Sequence, residues 1–159
     1  MSIETKKGPI GFATWAACGF GLGFAPMAPG SVATLFMVFL VGALRTTLES
    51  EGLLAIVILV MIVVGIPLCN AAEKQLGHDA QSIVWDEFIG FGVALWYLPA
   101  LSWGAIVGAF FAFRFFDILK PFPVNRVEKL PRAWGVIGDD VLAGVYANLV
   151  VQGVMRFLI

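Results

Sequence analysis

The run of residues 53–69 constrains this chain more than any other stretch, because it holds seventeen consecutive residues without a charged or polar side chain. As an α-helix, seventeen residues reach about 25 Å, which is near the lower limit for crossing the hydrocarbon core of a bilayer. Gly65 and Pro67 would bend the far end of such a helix without abolishing it. The run therefore predicts a membrane-spanning helix.

The composition agrees with a membrane environment. Of the 159 residues, 60% are hydrophobic and 13% are charged, against about 25% charged residues in typical soluble proteins. The net charge of −1 argues against nucleic acid as a partner. The length suits a single domain over residues 1–159. Cys18 and Cys69 stand alone in apolar surroundings, and we expect buried, reduced thiols.

The N-terminal region begins with Lys6 and Lys7, followed by an apolar stretch at residues 10–24. This order imitates the basic and hydrophobic regions of a signal peptide. The alternating glycines of the stretch would make a poor membrane span, because glycine weakens a helix. We therefore expect a short helix that lies at the membrane interface.

A loop is predicted at residues 23–31, which contain two prolines and two glycines. Ser31 suits the N-cap of a following helix at residues 32–44. A glycine-rich loop that leads into a helix N-terminus can hold a phosphate, because unpaired N–H groups point at it. Gly30 and Ser31 are therefore candidate phosphate-binding residues. The alternative is a plain connecting loop.

The apolar region at residues 83–116 contains Pro99 near its middle. Because proline disfavours one continuous helix, we predict a hairpin of two helices, at residues 83–98 and 101–119. Each arm is short for a complete membrane span. A last helix is predicted at residues 141–159, with Asp139 or Asp140 as its N-cap.

Together these segments predict an all-α fold. We expect an integral membrane bundle with about five membrane-embedded helices, some short or half-spanning, and an N-terminal interfacial helix. In this topology the loop at residues 23–31 lies on the same side as three acidic places, which are Asp86-Glu87, Asp117 and Asp139-Asp140. Most lysines and arginines lie on the same side, so the positive-inside rule makes it cytoplasmic. The C-terminus is then expected outside.

Five carboxylates reach the same membrane level in this topology. They begin one hairpin arm, end the other arm and begin the last helix. Close like charges resist joint ionisation unless a cation compensates them, and Mg²⁺ prefers oxygen ligands. We therefore predict a magnesium site that also carries catalysis. Its residues are Asp86, Glu87, Asp117, Asp139 and Asp140.

Each acidic position also has a local explanation. Asp86 and Glu87 would be favourable acids in the first turn of a helix, and Asp117 could pair with Arg114. Glu73 and Asp79 are second-line metal ligands, on weaker grounds. His78, the only histidine, is most simply a surface loop residue.

Basic residues close to the acids indicate a phosphate ligand. Arg114 could bind phosphate oxygens with two hydrogen bonds, and Lys120 could act as a point charge. Arg126 could hold a lipid headgroup. The alternative for Arg126 is a solvated loop that is attracted to anionic lipid.

Four motifs resemble those of the bacterial phosphatidylglycerophosphatase A family. They are GLGFAPMAPGS at residues 21–31, VWDEFIG at 84–90, FRFFDILKP at 113–121 and GDDVLAG at 138–144. They follow the family's order and cover nearly the whole chain. The resemblance implies an all-α, Mg²⁺-dependent phosphatase of the bacterial inner membrane. Its substrate would be the phospholipid phosphatidylglycerophosphate, and its products phosphatidylglycerol and phosphate.

On this basis the five carboxylates would hold one or two Mg²⁺ ions, which polarise the terminal phosphomonoester and activate a water molecule. Arg114 and Lys120 would neutralise charge on the transferred group. The chain lacks the Asp-x-Asp spacing usual for an aspartyl-phosphate intermediate, so we predict direct hydrolysis, with a covalent aspartyl-phosphate as the alternative.

Two other classes of protein remain as alternatives. A cation-coupled transporter would also carry buried acids among broken helices, although near mid-membrane rather than at helix ends. A non-catalytic protein that binds anionic lipid would explain the basic loop but not the acidic positions. The sequence does not indicate an oligomeric state.

Overall fold

The structure, a computed structural model, describes residues 9–158, and for Glu51 and Leu158 the backbone only. Every regular element in that range is helical, as the all-α prediction requires. The elements are α1 (Phe12–Ala17), a 3₁₀ segment (Gly19–Phe24), α2 (Pro29–Leu48), α3 (Glu51–Leu76), α4 (Trp85–Leu95), α5 (Trp103–Leu119), α6 (Val124–Val127) and α7 (Ala133–Leu158). Lys6, Lys7 and Ile159, to which the sequence assigned N-terminal and C-terminal features, lie outside the described residues.

Three helices are long and apolar enough to cross a membrane. They are Pro29–Leu48, Gly52–Leu76 and Ala133–Phe157. Helices α4 and α5 contain 11 and 17 residues, or about 16 and 25 Å, so they are the short arms expected of the hairpin. Large apolar side chains cover the outer faces of the spans, as with Phe39 of α2 and Val63 of α3. The fold is that of a helical membrane protein.

The predicted hairpin is confirmed, since α4 and α5 are separate helices that contact each other. Pro99 lies in the connection between them. Ser102 caps α5, and its hydroxyl accepts a hydrogen bond from the Ala105 N–H at 3.2 Å. Phe91 of α4 and Phe113 of α5 are fully buried against each other. The hairpin therefore returns the end of α5 to the level at which α4 begins.

Helices α4 and α7 run in the same direction and are closely packed. A Cβ atom on Gly144 would lie 2.3 Å from the Gly90 carbonyl oxygen, and one on Gly90 would lie 2.6 Å from the Asp140 carbonyl oxygen. Further along, the Asn148 amide donates to the Ala94 carbonyl at 3.1 Å. The register therefore pairs position 90 with position 144 and position 94 with position 148. It places Asp140 beside the beginning of α4.

The start of α2 differs from the prediction. Ser31 is not an N-cap, because the helix begins at Pro29 and its N-cap is Ala28. Ala28 has a left-handed backbone with φ 44° and makes no side-chain capping bond. Proline suits the first position of a helix, where its missing N–H would have no intrahelical partner. The Pro-Gly sequence thus begins the helix rather than ending a loop.

The start of α7 also differs from the prediction. Neither Asp139 nor Asp140 is an N-cap, because α7 begins at Ala133 and both acids lie in its second turn. The Ala133 N–H instead donates to the Asn70 side-chain oxygen of α3 at 3.1 Å. A cap from a distant helix leaves no local sequence signal, which explains the error.

Two further boundaries differ. The predicted interfacial helix at residues 10–24 is α1 and the 3₁₀ segment, interrupted where Gly19, Phe20 and Gly21 have positive φ. Helix α3 extends beyond the predicted span of residues 53–69 and ends at Leu76. The last turn of α3 contacts α1, because the Thr14 hydroxyl donates a hydrogen bond to the Gln75 side-chain oxygen.

Candidate active site at one end of the bundle

A polar cavity of about 410 Å³ lies where the beginning of α2, the beginning of α4, the end of α5 and the second turn of α7 meet. All four motifs found in the sequence, at residues 21–31, 84–90, 113–121 and 138–144, contribute residues to it. The charged residues that line it are Asp79, Asp86, Glu87, Arg114, Asp117, Lys120, Asp139 and Asp140. The predicted convergence of the acidic positions is therefore what the fold produces.

Three of the carboxylates form a compact cluster. One oxygen each from Asp86, Glu87 and Asp140 lies within 4.8 Å of the others. Asp86 is 7% exposed and Asp140 is 3% exposed. Among the described residues, Asp86 Oδ1, Glu87 Oε2 and Asp140 Oδ2 have no hydrogen-bond partner. Buried polar groups are almost always paired, so these three oxygens fit a divalent cation, for which they supply hard oxygen ligands.

Asp117 lies outside this cluster among the described residues, although it lines the same cavity. Its carboxylate accepts a hydrogen bond from Arg114 Nη1, three residues earlier on α5. The same nitrogen lies 3.9 Å from Glu87 Oε1. Arg114 therefore links Asp117 to the carboxylate cluster, while its buried Nε atom has no partner within the described chain.

Asp139 is also outside the cluster and is neutralised by Lys120. The Lys120 ammonium donates to Asp139 Oδ2 at 2.7 Å and lies 3.3 Å from Glu128 Oε1. Burial alone would lower the pKa of Lys120, but Asp139 and Glu128 outweigh burial and leave that pKa raised. The lysine therefore stays protonated and holds the end of α5 against α7.

Gly30 fits this site because it has no side chain. A Cβ atom there would lie 2.0 Å from Glu87 Oε1 and 3.3 Å from Arg114 Nη1. The first turn of α2 thus lies directly against the Glu87 carboxylate, where the positive end of the helix dipole favours negative charge. Gly30 lines the cavity, but Ser31 is not among its lining residues.

The remaining candidates lie elsewhere or at the rim. Glu73 accepts from His78 and from the Asp79 N–H, and it lies with His78 in a separate polar cavity. Asp79 does line the acidic cavity, and burial raises the pKa of its carboxyl group. The Arg126 guanidinium lies over the Phe122 ring at 4.9 Å, away from the cavity.

Sequence reasoning missed the residues that position the site. Asn70 caps α7 from α3, and Gly90 and Gly144 allow the close approach of α4 and α7. The glycines left a signal, because each lies four residues after an acid of the cluster. Residues four apart lie on the same helix face, and glycine is typical of close helix contacts in membranes. The Asn70 cap left none, because it joins residues 63 positions apart.

Comparisons with known proteins extend this picture. A family model described as phosphatidylglycerophosphatase A matches residues 15–155. A protein of Haemophilus influenzae named phosphatidylglycerophosphatase A is 41% identical over 145 residues, covering 90% of this chain and 88% of that protein. The Escherichia coli protein of the same name is 35% identical over 144 residues, covering 89% and 80%.

A third relative, from Bacteroides thetaiotaomicron, is provisionally named as a phosphatidylinositol-3-phosphatase. It is 36% identical over 146 residues, covering 89% of this chain and 91% of that protein. No solved structure matches the chain significantly. The family model spans all four motifs and the whole acidic cavity, and the chain belongs to the phosphatidylglycerophosphatase A family.

Proposed function

We propose that this chain hydrolyses the terminal phosphomonoester of phosphatidylglycerophosphate, giving phosphatidylglycerol and inorganic phosphate. The observation that carries the proposal is the cluster of Asp86, Glu87 and Asp140, whose buried oxygens have no partner in the described chain. Two relatives named for this activity cover most of the chain. The enzyme is a lipid phosphatase, and its site lies at the end of the membrane-embedded bundle.

Magnesium is the proposed cofactor, with Asp86, Glu87 and Asp140 as its ligands. Carboxylate oxygens suit this ion better than softer metals, and no histidine or cysteine lines the cavity within the described residues. When bound, Mg²⁺ supplies positive charge that offsets the charge of the phosphoryl group and lowers the pKa of water. We assign Asp117 and Asp139 to flanking positions, each held by a basic side chain.

The basic residues of the cavity are proposed to bind the phosphoryl group. Arg114 Nε has no partner among the described residues and can donate to a phosphate oxygen, while Nη1 stays with Asp117. Lys120 has three N–H donors, and Asp139 and Glu128 occupy two of them. Both side chains thus keep a donor for substrate while their acidic partners hold them in place.

The proposed reaction is direct attack of water on phosphorus. The new P–O bond forms as the ester bond to the glycerol headgroup breaks, and the glycerol oxygen leaves with a proton as a hydroxyl group. Fixed positive groups around the phosphate lower the barrier, because phosphoryl transfer depends mainly on positioning and charge stabilisation.

The proposed location is the inner membrane of a bacterium, with the cavity facing the cytoplasm and membrane lipids around the spans. Arg126, Lys129 and Arg132 follow α5 at the cavity end, whereas Arg45 lies near the opposite end of α2. This distribution supports the orientation through the positive-inside rule.

The test is phosphate release by the purified protein in detergent micelles that contain phosphatidylglycerophosphate. After treatment with EDTA we expect no release, and added Mg²⁺ should restore it. Phosphatidylinositol 3-phosphate and phosphatidic acid, assayed in parallel, define the headgroup preference. Release that is unaffected by EDTA would contradict the metal site, and no release from any of the three lipids would contradict the phosphatase.

A further inference from the structure

A second large cavity, of about 670 Å³, is an apolar groove between α2, α3 and α4. Its walls are residues 36–48 of α2 and 54–61 of α3, and its floor is the face of α4 that carries Trp85, Phe88 and Leu95. No charged side chain lines it within the described residues. We call it the α2–α4 groove.

The groove exists because two consecutive helices diverge. Only Glu49 and Ser50 separate α2 from α3, so the two helices meet at that end. Elsewhere they make few contacts, and the 3₁₀ segment closes the space between them at the other end. Gly92 adds no side chain to the floor of the groove, and a Cβ atom there would lie 3.2 Å from Ile58. The open side of the groove faces the surroundings of the bundle.

The groove begins beside the acidic cluster. Trp85 and Phe88, at one end of its floor, lie in the same helical turn as Asp86 and Glu87. Only the first turns of α2 separate groove and cavity, where Gly30 contacts Glu87 and Ala33 packs with Phe88. From there the groove follows α4 for its 11 residues, or about 16 Å.

A different apolar cavity, of about 470 Å³, lies between α5 and α7. It is lined by Ser102 at the beginning of α5 and by Val154 near the end of α7, so it lies far from the acids. Of these two apolar cavities of the described chain, the α2–α4 groove is the one that lies next to the proposed catalytic site.

We infer that the α2–α4 groove binds one acyl chain of the phospholipid substrate, while the phosphorylated headgroup occupies the polar cavity. This inference rests on the proposed function and adds the part of the lipid that the enzyme recognises. A chain in the groove exchanges contact with mobile lipid for contact with fixed apolar walls, and it passes the first turn of α2 where the glycerol backbone would cross. The acyl chain thereby positions the headgroup over the carboxylates.

Kinetics of a groove-filling variant test the inference. Val57→Trp places a large side chain in the groove, and Val60→Trp places the same side chain on the outer face of α3. We compare kcat/KM for dioleoyl phosphatidylglycerophosphate with that for the dibutanoyl lipid, whose chains are too short to fill the groove. The ratio of kcat/KM for the dioleoyl lipid to kcat/KM for the dibutanoyl lipid should fall roughly tenfold in Val57→Trp, equivalent to about 1.4 kcal/mol. In Val60→Trp this ratio should keep its wild-type value.

An unchanged ratio in Val57→Trp, or equal falls in the two variants, would overturn the inference. Failure of the proposed function itself looks different, because the wild-type protein would then hydrolyse neither lipid.

Photochemical labelling of the wild-type protein gives an independent test. The probe is phosphatidylglycerophosphate with a diazirine in one acyl chain, and the labelled residues are identified by mass spectrometry. We expect labels on groove residues such as Val57 and Met61, which excess unlabelled phosphatidylglycerophosphate removes and phosphatidylcholine does not. Labelling of the groove that both lipids suppress equally would mean that bulk lipid fills it, and would also overturn the inference.

Discussion

At the scale of single residues, the site consists of carboxylates with two different kinds of surroundings. Asp117 and Asp139 are each held by a basic side chain, Arg114 and Lys120 respectively. Asp86 and Asp140 are buried, and each keeps an oxygen without a partner in the described chain. The first kind stabilises the local structure. Asp86 and Asp140 lie close to other carboxylates, and a bound cation would relieve the repulsion between these like charges.

Asp140→Asn should lower the phosphatase activity but raise the stability of the metal-free protein. We expect phosphatase activity to fall by roughly 100-fold or more, equivalent to about 2.7 kcal/mol of transition-state stabilisation. In EDTA the variant should have a higher Tm than wild type, because one of three crowded carboxylates is removed. Added Mg²⁺ should raise the Tm of wild type but not of the variant. A thermal shift with Mg²⁺ that equals that of wild type would contradict Asp140 as a ligand.

Gly30→Ala tests the contact between α2 and the Glu87 carboxylate. The new methyl group would overlap Glu87 Oε1, the mobile end of a side chain, so Glu87 should move while the helix remains. We expect a higher Mg²⁺ concentration for half-maximal activity and little change in Tm. Gly108→Ala on α5 is the control, since nothing lies within 4 Å of its Cβ position. Equal Mg²⁺ dependence in both variants would show that Gly30 has no role in placing Glu87.

At the scale of helices, the parallel contact between α4 and α7 decides whether a site exists. Asp86 and Asp140 are on different helices, and their separation depends on how closely those helices approach. Gly90 and Gly144 remove the side chains that would hold the backbones apart. At the other end of α4, Asn148 donates to the Ala94 and Trp96 carbonyls, which fixes the register. Small residues and a polar bond thus do what the hydrophobic effect cannot do inside a bilayer.

Gly144→Ala should therefore weaken both the fold and the site. The added Cβ atom would lie 2.3 Å from a backbone oxygen, so the two helices must separate, at a cost of about 1–3 kcal/mol. Activity should fall and the Mg²⁺ requirement should rise. On the same helix, Gly153→Ala meets nothing within 4 Å and should raise stability by up to about 1 kcal/mol. Denaturation and phosphate-release assays on the pair check this, and identical behaviour would contradict the proposed contact.

At the scale of the whole molecule, the charges divide between the two ends of the bundle. The cavity, the turn before α4 and the loop before α7 share one end, and this end carries most of the basic side chains described. The spans between the ends are covered by exposed apolar residues. A substrate held in a membrane leaflet can reach such a site without leaving the bilayer, because only its headgroup has to meet the polar end.

The orientation in the membrane can be measured with single cysteines. Both native thiols are buried, and burial raises the pKa of Cys18 to about 11, so reaction with maleimide should be slow. Lys129→Cys and Ser50→Cys place exposed thiols at opposite ends of the bundle. An impermeant maleimide should label position 50 in intact cells and position 129 only in inverted membrane vesicles. The reverse pattern would place the active site outside the cytoplasm.

Much of the site could be predicted from the sequence because its chemistry is local to short motifs. Pro99 divides a long apolar run, so the two hairpin arms and the return of Asp117 toward Asp86 follow from proline alone. The capping predictions failed for the opposite reason. Ser31 and Asp139 have suitable side chains for caps. However, α2 begins earlier, at Pro29, and α7 is capped by the side chain of Asn70 on α3.

Only part of the different surroundings of the carboxylates could be predicted from the sequence. All five predicted ligands look equivalent as acids at helix ends, and all five line one cavity. The pairing of Asp117 with Arg114 is a contact within α5 that the sequence suggested, whereas the pairing of Asp139 with Lys120 depends on how the end of α5 approaches α7. Arg114 and Lys120, predicted as phosphate ligands, also hold Asp117 and Asp139.

By itself, the sequence determined that this chain forms apolar helices and gathers acids and bases at one membrane level, because hydrophobicity, proline and charge act along the chain. Only the tertiary structure decided that Asp86, Glu87 and Asp140 form the cluster without partners, and that α2 and α3 diverge to leave an apolar groove. These features depend on how closely helices approach across the bundle. That approach is set by contacts such as Gly144 with Gly90, between residues far apart in the chain.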